Sequence, residues 1–498
     1  MNLDLNGWLG WRWIRVALWA VVGVLSASKF FYLSADFPNW SPWMIDQAKF
    51  TDEGWWGSAA VAHALTGHWY MQGDYNPAVA LPVWPLLLSA VFHFTGVSAV
   101  TARGFTAALS IAALSVGYVL VRRSARGNAE TAALLAVLLL AASPFAFVFS
   151  RLAILETLVS LEFCLLMLVA SFASLKRVWP LVGLAVLIPI MMLTKTTAAL
   201  LVPAVAWVAW SAMGRRWGGF WRAAVAVAVV PAVLFKGYAA VVSALGYGAD
   251  YRYFFDVNAM PDIDWPHTLS TLRDLAENCL WVDRVLYPIG LVILVVTMVW
   301  KRKLWANPLF AAGWMVIAAQ AVFIFSRQDD YAPRYFLQML APLVWIVVLA
   351  FDELMPRWKK TAALLLVGMA ASVAANVVMI RHFLVDRDYD FRDASASIKE
   401  IIRSHPEQKP LMLGVSGAQI ALMTGIPAIN DGFSTEGMAA KVAEDRPGWF
   451  VVWDQIDPED QSALAPFNLE KMGSYPAFDD DTRTVLILYK LTPKAGLP

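Results

Sequence analysis

The chain is poor in cysteine. Two in 498 residues, Cys164 and Cys279, argue against a disulfide scaffold, the more so because Cys164 lies inside an apolar run. Charge is scarce as well. Asp, Glu, Lys and Arg make up 15% of the chain, against about 25% in an ordinary soluble domain. With 39 basic and 38 acidic residues the net charge is +1, so the basic excess usual in nucleic-acid-binding proteins is missing. There is no P-loop, no GxGxxG leading into a soluble helix and no GxSxG, which removes support for nucleotide-driven chemistry. No internal repeat or low-complexity tract is evident. The six histidines give no metal signature; His63 and His68 stand five apart, off the one-turn spacing of a helical site.

Apolar residues are what the chain has in excess. They account for 59% of it, the mean hydropathy is +0.56, and 24 tryptophans suit a long membrane interface. Twelve apolar runs lie near 12–33, 81–97, 102–121, 129–149, 153–174, 178–194, 197–213, 221–245, 284–300, 306–325, 335–351 and 361–381. A crossing helix needs about 20 such residues. The basic clusters are Arg12 and Arg15; Arg122, Arg123 and Arg126; Lys176 and Arg177; Arg215, Arg216 and Arg222; Lys301, Arg302 and Lys303; and Arg357, Lys359 and Lys360. All fall on one side only if run 81–97, with Pro77, Pro82 and Pro85 in or beside it, lies in the outer interface instead of crossing. The expectation is a mainly α polytopic protein with about eleven transmembrane helices, outer-face amphipathic helices and a cytoplasmic N-terminus. The first run is long and lacks a small-residue cleavage site, so it reads as a retained span, not a secretory signal.

After Arg381 the composition becomes mixed. Strand-like runs at 411–415, 449–453 and 484–490 alternate with helix-like stretches at 393–404 and 434–444. Two domains are expected: a membrane domain over 1–381 and a small α/β extracytoplasmic domain over 382–498. The outer face would also carry the loops 34–101, 246–283 and 326–334 and a short connection near 150–153.

Several ionisable residues fall on that face. Asp52 and Glu53 adjoin ahead of Gly54, Trp55 and Trp56, placing a carboxylate at the membrane surface; the plain alternative is acidic charge at a helix start. Glu156 lies within an apolar run, where ionisable groups are costly and a functional role is the default. The competing account is an Arg151–Glu156 ion pair that only fastens helices, although a separation of five suits that pair poorly. Glu162 lies deeper in the same run. Lys195 breaks the one-sided distribution of basic residues and suggests an anionic partner such as a phosphate; the alternative is snorkelling. Arg103, Arg252, Arg327, Arg334 and Tyr335 complete an outer groove of carboxylates and cations, a mixture that fits an anionic lipid head group.

In this order the residues resemble the GT-C superfamily of membrane glycosyltransferases, in the branch of protein O-mannosyltransferases and the lipid A aminoarabinose transferase. The resemblance covers about residues 10–350. It rests on TDEGWW with Asp52, on the segment 81–110 in which a Pro-rich helix leads to the span opened by Arg103, on SPFAFVFSRLAILE over 143–156, on YRYFF over 251–255 and on PRYFLQMLAP over 333–342. It implies transfer of a sugar from a polyprenyl-phosphate donor to a lipid, glycan or protein acceptor. Asp52 would be the catalytic base, with Glu53 its rival, and Glu156 would position the acceptor. Two positions depart from the family pattern. Glu156 stands where Asp is common. Leu81 stands where a basic residue often meets the donor phosphate, so that contact falls to Lys195, Arg252 or Arg334, beside Arg103, Arg151 and Tyr335. No cofactor is required, and a divalent metal stays open. The expected location is the inner (plasma) membrane.

A transporter or flippase for a lipid-linked glycan is the main competing reading. It would place ionisable residues near the midplane and often show repeated halves; here they gather at one face. A polymerase or ligase of lipid-linked glycans would need a long late outer loop, for which 246–283 is the candidate. A purely structural membrane protein would not need the polar cluster.

Overall fold

The computed structural model describes residues 12–69, 74, 76–259, 268–299, 302–327, 332–432, 435–478 and 483–494. Parts of the loops 34–101, 246–283 and 326–334, together with Lys301, lie outside the described residues. The chain is mainly helical up to Ser404, and a five-stranded sheet follows.

Five helical stretches are long and apolar enough to cross a membrane: Ala99–Ser124, Trp217–Ala244, Pro308–Arg327, Pro333–Leu354 and an apolar window in Lys359–Ser404. The expected count of eleven is not reached among the described residues, because polar residues and prolines interrupt the apolar runs. Run 129–149 breaks at Ser143, whose hydroxyl caps a new helix opened by Pro144, leaving Ala129–Ala141 with 13 residues. Runs 178–194 and 197–213 part at Lys195, which is extended (φ −156°, ψ 122°), leaving Trp179–Thr194 with 16 residues. At 1.5 Å per residue these reach roughly 20–24 Å, short of a hydrocarbon core about 30 Å thick. The Pro-rich run 81–97 forms the 13-residue helix Val83–Thr95, also too short to cross unaided.

The Leu337–Leu354 helix forms the bundle's centre, with Leu343 to Phe351 continuously buried. A helix apolar on every side belongs inside a bundle. At one end the basic segments meet. Asp352 accepts hydrogen bonds from the backbone N–H groups of Arg126, Gly127 and Asn128 at 2.7–2.8 Å, and Asn307 donates to the Ser124 carbonyl. At the opposite end the chain over 36–50 packs on the close of the Lys359–Val385 helix. Trp40 stacks on His382 and Phe383, and its indole donates to the Asp386 carbonyl.

The sheet order is β2-β1-β3-β5-β4, with β1 (Met412–Leu413), β2 (Ala428–Ile429), β3 (Trp449–Trp453), β4 (Phe467–Pro476) and β5 (Val485–Pro493). β1 runs parallel to β2 and β3, and β5 pairs antiparallel with β3 and β4. Every residue of β3 is buried because both faces are covered. Trp449, Val451 and Trp453 pack with the Asp390–Ser404 helix, while Phe450 and Val452 face Met438 and Val442 of the Met438–Asp445 helix. The strand-like runs near 411, 449 and 484 are present as strands. β4 is more polar and half-exposed, and the hydropathy pattern did not reveal it.

Candidate functional site

The site starts from a tight turn. Asp46 caps the short helix Gln47–Lys49 by accepting the Ala48 N–H at 2.9 Å. Six residues after Asp46 the helix Asp52–Thr66 opens with Asp52 and Glu53 in its first turn, where the helix dipole favours negative charge. It ends at Gly67, whose left-handed backbone (φ 81°) returns an N–H to the His63 carbonyl.

Asp52 and Glu53 are both buried, but their surroundings differ. The Glu53 carboxylate is fully engaged. One oxygen accepts Arg103 Nε and the Ala153 backbone N–H, each at 2.8 Å. The other accepts Arg103 Nη2 at 2.6 Å and Gln419 Nε2 at 2.9 Å. Arg103 spends its remaining contacts on the Leu33 and Ala35 carbonyls. Arg103 and Glu53 thus form a fork-to-fork pair that ties four segments together.

Asp52 faces a different partner. Its Oδ2 lies 2.6 Å from Arg334 Nη2, a charge contact whose angle leaves that oxygen without a directed hydrogen bond. Arg334 sits in the turn Pro333–Phe336 and is held by Asp46, which accepts its backbone N–H at 2.8 Å and pairs with Nη1. Arg334 Nε lies 3.6 Å from Glu156, and the same Glu156 oxygen pairs with Lys195. The second Glu156 oxygen is buried without a hydrogen bond. Tyr335 lies beneath both cations, its ring 4.7 Å from Lys195 Nζ and 5.1 Å from the Arg334 guanidinium. Burial pushes the Asp52 carboxyl above its usual range; Arg334 opposes this, and Asp46 and Glu156 add to it.

The structure therefore gathers Asp46, Asp52, Glu156, Lys195, Arg334 and Tyr335. Sequence reading missed Asp46. As a residue it signals only a cap, and nothing in the chain ties it to Arg334, 288 positions away. Two sequence candidates are committed elsewhere. Arg103 is taken by Glu53. Arg151 donates to the Phe31 and Tyr32 carbonyls and lies over the Phe147 ring, so the considered Arg151–Glu156 pair does not form. Arg252 is exposed on the helix Gly248–Val257, outside the cluster. Glu162 accepts the Thr194 hydroxyl at 2.8 Å, bridging two helices. Arg327 lies near the Asn258 and Ala259 carbonyls. Among the described residues no three His, Cys, Asp or Glu side chains converge as a metal-binding set. Between Asp46, Asp52 and Glu156 the shared partner is the Arg334 guanidinium.

A short helix leading to a long span that Arg103 opens, a buried carboxylate cluster above the central helix and a C-terminal sheet make up a fold similar to that of the solved membrane proteins ArnT and an archaeal oligosaccharyltransferase. The resemblance read from the sequence holds at the level of fold. Residues 77–236 match the family model of dolichyl-phosphate-mannose-protein mannosyltransferases. ArnT from Cupriavidus metallidurans, in a crystal structure bound to undecaprenyl phosphate, superposes with a TM-score of 0.59. The two are 16% identical, and the match covers 97% of this chain and 98% of ArnT. The oligosaccharyltransferase of Archaeoglobus fulgidus, in a complex with Zn and sulfate, gives a TM-score of 0.52 at 12% identity, covering 95% of this chain and 75% of that one. The oligosaccharyltransferase AglB from Archaeoglobus fulgidus, in complex with an inhibitory peptide and a dolichol-phosphate, gives 0.50, again at 12% identity, covering 98% and 75%. No curated protein sequence matches the chain.

Proposed function

We propose that the protein transfers a sugar from a polyprenyl-phosphate donor to an acceptor hydroxyl or amine at the extracytoplasmic face of the membrane. The observation that carries this reading is the Asp52–Arg334–Glu156–Lys195 cluster, buried where the outer turns meet the spans. It joins a carboxylate with proton-accepting capacity to two cations, and an inverting transfer with a phosphate leaving group needs little more. Two proteins of the same fold, ArnT and AglB, hold undecaprenyl phosphate and a dolichol-phosphate respectively.

In the proposed reaction Asp52 Oδ2 takes the acceptor's proton as the acceptor atom bonds to the anomeric carbon. The bond from that carbon to the phosphate oxygen breaks on the opposite face, and the electron pair leaves with the phosphate. Arg334 and Lys195 stabilise the departing charge. For this, Arg334 exchanges its Asp52 contact for the phosphate, which frees the base as the donor binds. Glu156, with one oxygen unbonded, orients the acceptor. Glu53 is a poor base in this reading, because all its lone pairs are occupied. Tyr335 backs both cations. Arg252 lies far enough from the cluster that a phosphate contact would need the donor's outer portion; Arg103 and Arg151 act through the scaffold.

In this reading the membrane domain spans 1–381, the α/β domain over 382–498 lies outside, and the basic end of the bundle lies in the cytoplasm. Sugar, acceptor and carrier length follow from mass analysis of envelope glycans with and without the protein. Transfer by the purified chain from a defined polyprenyl-phosphate sugar tests the reaction itself. A protein that binds this donor and moves it across vesicles without breaking the glycosyl bond would be the flippase alternative.

A further inference from the structure

A second polar feature lies away from the Arg334 cluster. Lys29 follows the Arg12–Ser28 helix and is 2% exposed. Its ammonium donates to the hydroxyls of Ser110 at 3.2 Å and Ser150 at 2.9 Å, and no carboxylate pairs with it among the described residues. Ser110 stands eleven residues into the Ala99–Ser124 helix, about 16 Å from its start, and Ser150 closes the Pro144–Phe149 helix at the turn before Arg151, so the charge is buried just beneath the outer turns. A lone ammonium there is costly unless an anion joins it. Arg151, next to Ser150 in the chain, adds positive charge and no compensation.

The ammonium borders a cavity of about 70 Å³ whose deeper walls are apolar, including Leu114, Leu340 and Trp345. Thr157 also lines it. Its hydroxyl is buried and has no hydrogen-bond partner, whereas Thr106 and Ser110 bond back to their own helix. A cation without a counter-charge and an orphaned hydroxyl thus border one space with a hydrocarbon-like floor. A free inorganic anion would satisfy the cation and leave that floor empty. A lipid satisfies both.

We propose that this cavity is a binding site for an anionic lipid, with the head-group phosphate on Lys29 and Thr157 and a hydrocarbon chain running past Leu114 and Leu340. None of Lys29, Ser110, Ser150 or Thr157 bonds to Asp52, Lys195 or Arg334; the cavity meets the cluster only at its edge, where Thr157 adjoins Glu156 and Ser160 donates to the Glu156 carbonyl.

The test uses the full chain in nanodiscs doped with phosphatidylglycerol or phosphatidylcholine carrying a photoreactive group in one chain. Phosphatidylglycerol is expected to label the peptides bearing Leu114 and Leu340, and phosphatidylcholine is not. Lys29→Met should lower that labelling roughly tenfold, as loss of a charge-assisted contact does, and Lys29→Arg should retain it. Thr157→Val should give a smaller loss and serves if Lys29→Met does not insert. Equal labelling by both lipids, or labelling that survives Lys29→Met, would overturn the proposal. So would protection by millimolar inorganic phosphate alone, which means a free anion, or an unlabelled cavity in the folded wild type, which means water. No sugar donor enters the assay, so its outcome is independent of the transferase reading.

Discussion

Gln419 closes a two-way bridge onto Glu53 and the residue after it. Its amide N–H donates to Glu53 Oε2 at 2.9 Å, and its carbonyl accepts the Gly54 N–H at 2.7 Å. A side chain at Gly54 would collide with the backbone of Ala418 and Gln419, so only glycine lets the two helices approach this closely. The C-terminal α/β region thereby caps the helix that presents Asp52.

Gln419→Leu should cost about 2–4 kcal/mol, since it leaves a buried carboxylate and a backbone N–H short of a partner. Gly54→Ala should destabilise the protein through that collision. Thermal unfolding in detergent checks both. Wild-type stability in the two variants would mean that the bridge is not formed in the membrane.

Asp52→Asn is expected to keep the fold and reduce transfer to at most about one per cent, the usual scale of general-base loss. Glu53→Gln should instead weaken the Arg103 clamp and show chiefly as lost stability. Turnover by purified variants with a defined donor separates the two. A dead Glu53→Gln beside an active Asp52→Asn would move the base by one residue. Full activity in both would remove the mechanism.

The pH profile should carry the mark of Asp52. Burial, the largest influence, raises its carboxyl above the ordinary 3.8. The carboxylate is the proton-accepting form, so activity should rise with pH through this elevated value and fall away as pH drops below it. The acid limb of kcat should have its midpoint above that of a free aspartate. A midpoint at or below 3.8 would point to another base.

Donor binding is best read at Lys195, because Arg334→Ala would strand Asp46 and Asp52 as unpaired buried charges at a cost of about 3–5 kcal/mol. Lys195→Ala should weaken binding of a polyprenyl phosphate by roughly ten- to hundredfold. Arg252→Ala, at an exposed position, should have a smaller effect. Unchanged donor affinity in both variants would remove the phosphate assignment.

Topology can be measured with single cysteines, since Cys164 and Cys279 are buried. Ser124→Cys and Gly218→Cys should resist a membrane-impermeant thiol reagent in intact cells, whereas Ser404→Cys, at an exposed position, should react. Reaction at 124 or 218 would reverse the orientation.

Composition alone determined that this is a membrane protein. Apolar runs are local, one-dimensional signals, and five of them appear in the fold as helices long and apolar enough to cross a membrane. The β1, β3 and β5 strand runs were legible for a related reason: short apolar runs mark strands covered on both faces. Helix count was not, because Ser143–Pro144 divides a run that hydropathy averages together and other apolar helices are too short to cross unaided. The motifs around Asp52, Glu156 and Arg334 and the out-of-place Lys195 named four residues that the fold brings together, but the different surroundings of neighbours appear only in the tertiary structure. Asp52 and Glu53 are chemically alike and adjacent, and they differ because one meets Arg334 and the other meets Arg103 and Gln419. Those partners stand 50 to 366 positions from Glu53, and Asp46 lies 288 from Arg334. Electrostatic roles depend on distance and burial in space, and neither is written in sequence separation.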